Sequence, residues 1–372
     1  MTLAEMQATD FDMEEAEAFM MKIGDIVNSG AIAVMLSIGH RTGLLDSMAG
    51  RDPRTSRQIS DAAALSERYV REWLAVLVMA GIILYHPEAQ QYELPDAHAA
   101  CLTRDAALGN LAVQAQFVPM IGAVQEPILD CFKSGGGMKY DDYPGFHRVM
   151  AEDSQQTVVD SLLGDILPLA VGLRERLDHG IDVMDASCGS GRALTAMAAR
   201  FPNSRFVGSD LCPDAIAAAR TAIATAGLSN ILFEVRDLTN FNAPEHFDLI
   251  TSFDAVHDQK QPQDFLKRIR AALRPGGVHL MQDIGGSADL ENNYDFPFAA
   301  LLYTISCLHC TPVSLGQGGD GLGTMWGWET AEAMLREAGF AHVERHVLPH
   351  DPMPRQLQCH RLRTFKMNPL LH

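Results

Sequence analysis

Basic residues are scarce in this chain. Its 372 residues include 29 lysines and arginines against 47 aspartates and glutamates, which gives a formal net charge of −18. Because an acidic surface repels phosphate groups, we expect neither nucleic acid nor an anionic membrane as a partner. Long apolar runs are also missing. The longest, Trp73 to Tyr85, has 13 residues, whereas a membrane-spanning helix needs about 18 or more.

Cysteines are few and odd in number, seven in all and scattered along the chain. This usage is typical of reduced thiols in a cytosolic protein and does not indicate a disulfide framework. The first residues, MTLAEMQATDFDMEEAEAF, are acidic and lack the basic segment that opens a secretory signal. We therefore expect a cytoplasmic protein.

The first hundred residues have the pattern of a winged helix. Apolar residues recur on one helical face over 13–49, a short helix begins at Ile59, and Ser66 can cap a second helix over 67–80. Two short apolar segments, 82–85 and 91–94, then predict a hairpin. This order of helix, turn, helix and hairpin is that of a winged helix, a unit that often binds DNA.

DNA binding is nevertheless disfavoured by charge. Residues 1–100 contain 7 basic and 15 acidic residues, a net charge of −8. The charges of the second helix sum to zero, and its apolar remainder from Trp73 to Met79 predicts burial. A DNA-reading helix needs a basic face. A dimerisation role is the preferred interpretation, and a ligand-sensing transcriptional regulator is the alternative.

The second half of the chain alternates strands and helices, which predicts an α/β fold with a parallel, doubly wound sheet. We expect strands at 181–186, 205–210, 231–236, 247–253 and 277–283, followed by a hairpin of 340–347 and 356–363. Residues 105–178 are expected to be mostly helical, and the polar and aromatic stretch Tyr140 to Pro144 is expected to be a loop near a site. The predicted domains are therefore 1–104, 105–178 and 179–372.

A glycine turn carries the strongest functional signal. In Val183-Met-Asp-Ala-Ser-Cys-Gly-Ser-Gly191, a strand that ends near Asp185 leads through Gly189 and Gly191 into a helix. Glycines allow a ligand to approach the backbone, and the helix start offers free N–H groups. A dinucleotide fingerprint would need a third glycine where Leu194 stands.

Acidic residues close the next two strands. Asp210 ends the second strand, where a carboxylate can accept hydrogen bonds from ribose hydroxyls. Asp237 ends the third strand, in position to bond an adenine amino group. Either one alone could be a helix cap or a solvated acid, but three acids at successive strand ends indicate a nucleoside site.

These motifs resemble the class I S-adenosylmethionine-dependent methyltransferases, which also share the Leu273-Arg-Pro-Gly-Gly277 turn and the terminal hairpin. The resemblance implies a Rossmann-like domain with S-adenosylmethionine as the cofactor. It assigns the methionine part to the glycine turn, the ribose to Asp210 and the adenine to Asp237. The implied cofactor-binding set also includes Asp185, Leu211, Leu238 and Phe253.

A narrower resemblance lies upstream. Phe146-His-Arg-Val-Met150-Ala-Glu-Asp-Ser154 is similar to a helix of plant-type small-molecule O-methyltransferases, which also have a winged-helix dimerisation domain. By this resemblance Phe146 and Met150 flank the cofactor, and Ser154 bonds its carboxylate. The alternative is an ordinary core helix, because apolar residues at i and i+4 are common.

A histidine follows the fourth strand, in Phe253-Asp-Ala-Val-His257-Asp258-Gln. Histidine suits the removal of an acceptor proton near neutral pH. Similar O-methyltransferases carry a His-Asp pair here, which implies His257 as general base beside Asp258. The chain departs from them in Gln259, where they usually have Trp, and in the orienting glutamates, for which Glu329 is a tentative match. A surface histidine is the alternative.

The chain also looks like soluble bacterial and nematode methyltransferases with a winged helix, some of which act on thiols. We therefore expect a homodimer that methylates a small thiol such as hydrogen sulfide or methanethiol, with O-methylation of a phenol or natural-product hydroxyl as the alternative. The expected acceptor pocket contains Phe146 and four further residues: His147, Tyr303, Met325 and Trp326. Cys307 and Cys310 form one Cys-x-x-Cys pair, which is too weak a signal for a metal site, and no metal is expected. Because the pair lies in the apolar stretch Phe298 to Leu308, we expect a buried helix that lines the pocket.

Overall fold

The computed structural model describes residues 12–348, 350–351 and 355–361. The chain divides into two compact units, Met1–Pro119 and Met120–His372. Of the predicted middle domain, residues 105–119 belong to the first unit and residues 120–178 to the second.

The described residues form sixteen α-helices and nine strands. The helices are α1 Met13–Thr42, α2 Leu44–Met48, α3 Ser56–Ala63, α4 Glu67–Met79, α5 Asp96–Ala99, α6 Leu111–Gln114, α7 Phe117–Gly122, α8 Gln125–Ser134, α9 Phe146–Ser154, α10 Leu173–His179, α11 Arg192–Arg200, α12 Pro213–Ala226, α13 Pro262–Ala272, α14 Ala299–Ile305, α15 Thr311–Gly316 and α16 Trp328–Glu337. The strands are β1 Leu84–His86, β2 Gln91–Glu93, β3 Asp182–Ala186, β4 Arg205–Asp210, β5 Ile231–Val235, β6 Phe247–Phe253, β7 Leu273–Ile284, β8 His342–Val347 and β9 Arg355–Arg361.

The first unit has the predicted order of helix, turn, helix and hairpin in α3, α4, β1 and β2. Helix α1 begins after Asp12, whose side chain accepts a hydrogen bond from Glu15 N–H, and ends at Gly43 with a left-handed backbone. The ring of Trp73 on α4 packs closely on α1, because a Cβ at Gly39 would lie 2.6 Å from it. The indole N–H donates to the carbonyl of Met35 at 2.8 Å.

Two local predictions for α4 are wrong in detail. Ser66 occupies the position before the helix, but its side chain makes no capping hydrogen bond. The helix is also not buried all round, because Trp73, Leu74 and Leu77 face the core while Met79 is 83% exposed. Helix α4 is therefore amphipathic, with one face left outside the core of its unit.

The second unit contains a seven-stranded sheet in the order β5-β4-β3-β6-β7-β9-β8. Strands β3 to β7 are parallel, and β9 pairs antiparallel with both β7 and β8. This confirms the predicted α/β class and its terminal hairpin. Strand β7 begins at Leu273, earlier than predicted, because Leu273 pairs with Phe247 ahead of a register shift. Residues 362 and 363 of the predicted last strand lie outside the described residues.

The central strands β3 and β6 are buried on both faces and mostly apolar, whereas the edge strand β8 is mostly exposed and polar. Successive residues of β3 point to opposite faces, so Val183 joins a cluster with Leu194 and Phe233, while Met184 joins another with Phe265 and Trp326. The carboxyl ends of β3, β4 and β6 therefore lie side by side at one edge, where open α/β sheets place their ligands.

Two helical segments are long and apolar enough to cross a membrane: α1 and the continuous stretch Ala299–Gly316. A bent pair, Phe146–Leu169 with Leu173–His179, would make a third. In α1, 0% of the most apolar 18-residue window is buried, whereas 39% of the corresponding window in Ala299–Gly316 is buried. The uninterrupted-run criterion misses these helices because scattered polar residues break their apolar runs. The expected absence of a membrane partner stays a prediction.

Candidate active site

The glycine turn after β3 has the conformation that its sequence requires. Gly189 and Gly191 have φ angles of 53° and 69°, in the left-handed region. A Cβ at Gly191 would lie 2.3 Å from the ring of Phe233, so this glycine permits α11 to pack on the sheet. A Cβ at Gly189 would meet no atom within 4 Å. The turn is thus closely packed on one side and open on the other, where a ligand could contact the backbone.

The strand-end acids Asp185 and Asp210 support this turn. The buried carboxylate of Asp185 accepts a hydrogen bond from the Thr251 hydroxyl at 2.7 Å, and burial raises its pKa to about 7. Asp210 accepts hydrogen bonds from the backbone N–H groups of Gly189 and Cys212, each at 2.8 Å. Asp210 thereby fixes the open side of the turn beside the end of β4.

Asp237 is exposed and caps the short 3-10 helix Leu238–Asn240 by accepting from Thr239 N–H at 2.8 Å. Hydrogen bonds from Thr239 lower its pKa. The capping role that the sequence left open is therefore present, and adenine recognition stays a prediction. Leu238 is buried, while Leu211 is 44% exposed.

The segment Phe146–Ser154 is one helix, α9, as the sequence motif implies. Its backbone carbonyl at Ala151 accepts from Arg192 at 2.8 Å, at the start of α11. Met150 and Ser154 are half-buried on this helix, and Phe253 is half-buried at the end of β6. The carboxyl-terminal half of α9 therefore lies next to the helix that follows the glycine turn.

His257 is 4% exposed, so the alternative of a surface histidine is wrong. Its Nδ1 lies 2.7 Å from Oδ1 of Asp283, and its Nε2 lies 3.5 Å from Oδ1 of Asp258. Burial alone would lower the pKa of His257, but the two carboxylates outweigh it and raise the pKa well above its usual value. His257 thus has the fixed ring orientation and the basicity of a proton acceptor.

Asp283 is the residue that orients His257, and sequence reasoning missed it. The tentative match, Glu329, accepts instead from the Ser287 hydroxyl at 2.7 Å and from Ala288 N–H at 2.9 Å. The sequence could have indicated Asp283, because it is the last residue of the predicted strand 277–283. Strand β7 lies next to β6, so the ends of these two strands meet at one edge of the sheet.

Gln259, which stands where similar enzymes usually have Trp, reaches the glycine turn. Its side-chain N–H donates to the hydroxyl of Ser187 at 2.9 Å and to the carbonyl of Ala255 at 2.9 Å. Ser187 has a φ of 65°, which a non-glycine residue rarely adopts. The Gln259 side chain therefore links the loop that carries His257 to the turn after β3.

The surroundings of His257 include three further polar side chains to which the sequence assigned no catalytic role. The Tyr140 hydroxyl donates to Oδ2 of Asp258 at 3.4 Å. The Cys310 sulfur accepts from the Thr324 hydroxyl at 2.7 Å, and burial raises the pKa of Cys310 to about 12. Ligand atoms of His257, Asp258 and Cys310 lie within 4.8 Å of one another. Cys307 is exposed and is not part of this group.

Aromatic rings form a continuous cluster next to Asp258. The Phe146 ring stacks on His309 with centroids 4.0 Å apart, and Tyr140, Tyr143 and His147 pack around them. Burial lowers the pKa of His309 to about 4, so this ring is neutral near pH 7. The cluster offers flat apolar surfaces beside the polar group around His257.

The five expected pocket residues do not share one wall. Phe146 and His147 lie in the aromatic cluster. Tyr303 and Met325 pack instead with Leu302 and with Ile284, which directly follows Asp283. Trp326 belongs to the core under the sheet, with Met184 and Phe265. The segments that carry Tyr140 and His309 were expected near a site, as a loop and as a pocket-lining helix, but neither side chain was assigned a role.

Comparison with known proteins matches two segments of the chain to known families. Residues 30–104 match a family described as an Rv2258c-like winged HTH domain, and residues 177–339 match a family described as a methyltransferase domain. The second half is a class I S-adenosylmethionine-dependent methyltransferase domain. The expected recognition, a methyltransferase domain behind an N-terminal winged helix, is thereby confirmed.

Curated relatives match part of this domain. A 2-heptyl-1-hydroxyquinolin-4(1H)-one methyltransferase of Mycobacteroides abscessus is 41% identical over 106 residues, which are 28% of this chain and 45% of that protein. The chain spans between 33% and 52% of the length of the curated relatives considered.

Solved methyltransferase structures share the fold over nearly the whole chain. Human N-acetylserotonin methyltransferase in complex with SAM has a TM-score of 0.64 and 16% identity, covering 96% of this chain and 100% of that one. An O-methyltransferase family protein from Burkholderia thailandensis has a TM-score of 0.63 and 18% identity, covering 94% and 98%. At these identities the likeness concerns the fold.

Proposed function

We propose that this protein transfers the methyl group of S-adenosylmethionine to a heteroatom of a small acceptor, and that a small thiol such as hydrogen sulfide or methanethiol is the leading acceptor. The observation that carries the proposal is the buried His257, held by Asp283 at 2.7 Å at the end of β6. The methyltransferase domain and the open glycine turn after β3, the strand next to β6, support a methyl donor bound near this histidine.

The residues around the glycine turn fit this cofactor. The open space beside Gly189 admits a ligand against the backbone, and Asp210 lies next to it with a carboxylate that can accept further hydrogen bonds from ribose hydroxyls. Asp237 and Leu238 take the adenine, and Ser154 takes the carboxylate beside Phe146 and Met150. S-adenosylmethionine supplies an electrophilic methyl group when bound.

His257 removes the proton that an acceptor must lose. Nε2 of His257 would accept the S–H or O–H proton of the acceptor, and the bound cofactor would supply the methyl group by giving up its bond to the sulfonium sulfur. The raised pKa makes His257 a stronger base than an ordinary imidazole. The cysteine thiol has a pKa of about 8.5 and the tyrosine phenol of about 10, so acidic thiols are matched best and aliphatic alcohols poorly.

O-methylation of an acidic hydroxyl is the second candidate. It is favoured by the relative named for a hydroxyquinolinone and by the O-methyltransferase fold neighbour. The stacked rings of Phe146 and His309 offer a flat apolar surface beside Asp258, which suits an aromatic acceptor. The base would work in the same way on both acceptors.

A panel of acceptors distinguishes the two candidates. Wild-type protein and His257→Ala are incubated with S-adenosylmethionine and either methanethiol, sulfide, a phenol or a hydroxyquinolinone, and release of S-adenosylhomocysteine is followed at pH 7 and pH 9. We expect thiol turnover, a loss of about 10²–10⁴-fold in the variant at pH 7, and substantial rescue at pH 9 because thiols ionise there. Glu329→Gln is the matched control and should retain turnover, since its carboxylate does not contact His257.

Turnover of hydroxyl acceptors alone would replace the first candidate by the second. Absence of S-adenosylhomocysteine release with every acceptor, by protein that binds S-adenosylhomocysteine, would reject the enzymatic proposal. Tight, salt-dependent binding to generic DNA would then favour the ligand-sensing regulator.

A homodimer formed through α1 is part of the proposal. This helix exposes a row of large apolar side chains at i, i+4 and i+7, with Phe19 58%, Ile23 44% and Ile26 55% exposed. An apolar stripe of this length is typical of a partner-facing surface. The cytoplasmic location and the absence of nucleic acid partners remain predictions.

A further inference from the structure

Arg355, the first residue of β9, is 2% exposed and contacts three carboxylates. Its guanidinium lies 2.6 Å from Asp153, 2.7 Å from Asp254 and 2.9 Å from Asp351. A planar guanidinium with five N–H groups can hold several carboxylates in a fixed arrangement, which a lysine cannot do. Arg355 therefore joins three separate segments at one buried point.

Two of these segments belong to the two halves of the proposed site. Asp153 is fully buried on α9 and directly precedes Ser154, the expected partner of the cofactor carboxylate. Asp254 directly follows β6, three residues before His257, and has a left-handed backbone with a φ of 49°. The third carboxylate, Asp351, precedes Arg355 near the start of β9. One side chain thus connects the helix on the donor side with the loop on the acceptor side.

The electrostatics of the group make the arginine hard to replace. Burial raises the pKa of Asp254, and the positive charge of Arg355 opposes that rise. Asp254 also interacts with Asp283 and His257. Removing the arginine would leave buried acids uncompensated, a situation that is strongly destabilising.

We propose that Arg355 is a positioning residue that holds α9 and the His257 loop in a fixed relation, so that the methyl donor and the acceptor meet in line. This inference rests on the proposed function, because it assigns Ser154 to the donor side and His257 to the acceptor side. Methyl transfer needs the acceptor about 3 Å from the methyl carbon. An arginine that fixes α9 relative to the His257 loop is therefore expected to affect turnover as well as cofactor affinity.

Arg274 provides a matched control. Its guanidinium also bridges two carboxylates, Asp182 at 2.9 Å and Asp248 at 2.6 Å. These acids stand near the first residues of β3 and β6, at the opposite end of the strands from His257. Loss of this bridge removes ion pairs without touching either side of the proposed site.

The test compares Arg355→Lys with Arg274→Lys, because lysine retains the charge and loses the multiple contacts. Titration calorimetry with S-adenosylhomocysteine reports the donor side. The pKa of His257, measured by NMR with labelled histidine, reports the acceptor side, where Asp254, Asp258, Asp283, Cys310 and His309 face or surround the ring. Both readouts are independent of the acceptor, so they remain informative if no methyl acceptor is found.

We expect Arg355→Lys to weaken S-adenosylhomocysteine binding by about 10-fold, to change the pKa of His257, and to lower kcat more than the affinity change explains. Arg274→Lys should keep the affinity within about 2-fold. If Arg355→Lys does not fold, Asp153→Asn and Asp254→Asn divide the test, the first weakening S-adenosylhomocysteine binding and the second shifting the His257 pKa. Unchanged affinity and an unchanged His257 pKa, with only a lowered Tm, would show that Arg355 is merely structural and overturn the proposal.

Discussion

Replacing Asp283 by asparagine tests the proposed proton acceptor directly. The change keeps the side-chain volume and removes the negative charge that lies 2.7 Å from Nδ1 of His257. Both side chains are buried, at 5% and 6% exposure, so solvent screens their interaction weakly. A hydrogen bond to a charged group contributes about 1.5–3 kcal/mol. If that stabilisation of the imidazolium is lost in the transition state, turnover falls by about 10- to 200-fold.

The pH dependence separates the loss of transition-state stabilisation from the change in the pKa of His257. A general base must be deprotonated to act, and the raised pKa of His257 places the acidic limb of activity above its ordinary pKa of about 6.5. Removing the Asp283 charge lowers that pKa, so the limb moves to lower pH. More of the base is then free at pH 7, which offsets part of the loss there. The full loss appears on the plateau at high pH.

The assay is the initial rate of S-adenosylhomocysteine release from pH 5.5 to 10, with calorimetric affinity for S-adenosylhomocysteine as the control for folding and cofactor binding. Asp258→Asn should also move the limb downwards, because Asp258 faces Nε2 at 3.5 Å. The other groups near the ring, Asp254, Cys310 and His309, remain in both variants. If Asp283→Asn keeps the wild-type rate at high pH, and the acidic limb of its pH profile does not move, the reasoning is refuted.

Three further outcomes are expected. Asp210→Ala should weaken S-adenosylhomocysteine binding by about 1–3 kcal/mol, because the ribose loses its acceptor and the turn loses its link to Gly189; unchanged affinity by calorimetry would exclude Asp210 from the site. Dialysis against a chelator should leave turnover unchanged, because burial raises the pKa of Cys310 to about 12 and the protonated thiol is a poor metal ligand beside His257 and Asp258; one equivalent of zinc in the purified protein would contradict this. Light scattering at micromolar concentration should give a dimer, and Phe19→Asp with Ile26→Asp should give a monomer; a wild-type monomer would reject the α1 interface.

The cofactor half of the candidate site could be predicted because its signals are local. The turn from Asp185 to Gly191 lies within one strand–turn–helix unit, and Asp210 ends a strand that the apolar pattern identifies. The positions of the central strands follow from their apolar runs, because these strands are buried on both faces, and the helices follow from their own apolar spacing. Both patterns are read from the order of the residues alone. The one local ambiguity was Asp237, whose capping of residues 238–240 is equally local chemistry and could not be told from ligand binding.

The orientation of His257 needed a long-range step. Asp283 is distant in sequence, and it reaches His257 because β7 is the parallel neighbour of β6, with Phe253 opposite Gln282. The rule that the ends of parallel strands meet at one edge would have led to Asp283. Similarity to a glutamate of related enzymes led instead to Glu329, which bonds to Ser287 and Ala288.

The acceptor side was harder to predict because core packing and ligand contact require the same residue types. Tyr303 and Met325 lie with Ile284, whereas the neighbouring Trp326 fills the core beneath the sheet, and composition does not separate these positions. Tyr140 and His309 reach the site through a 3-10 turn and a π-helical segment, for which no simple repeat exists. We therefore expect acceptor choice to depend on the packing of 138–147 against 306–326, where one side-chain exchange could alter the acceptor side without disturbing the glycine turn.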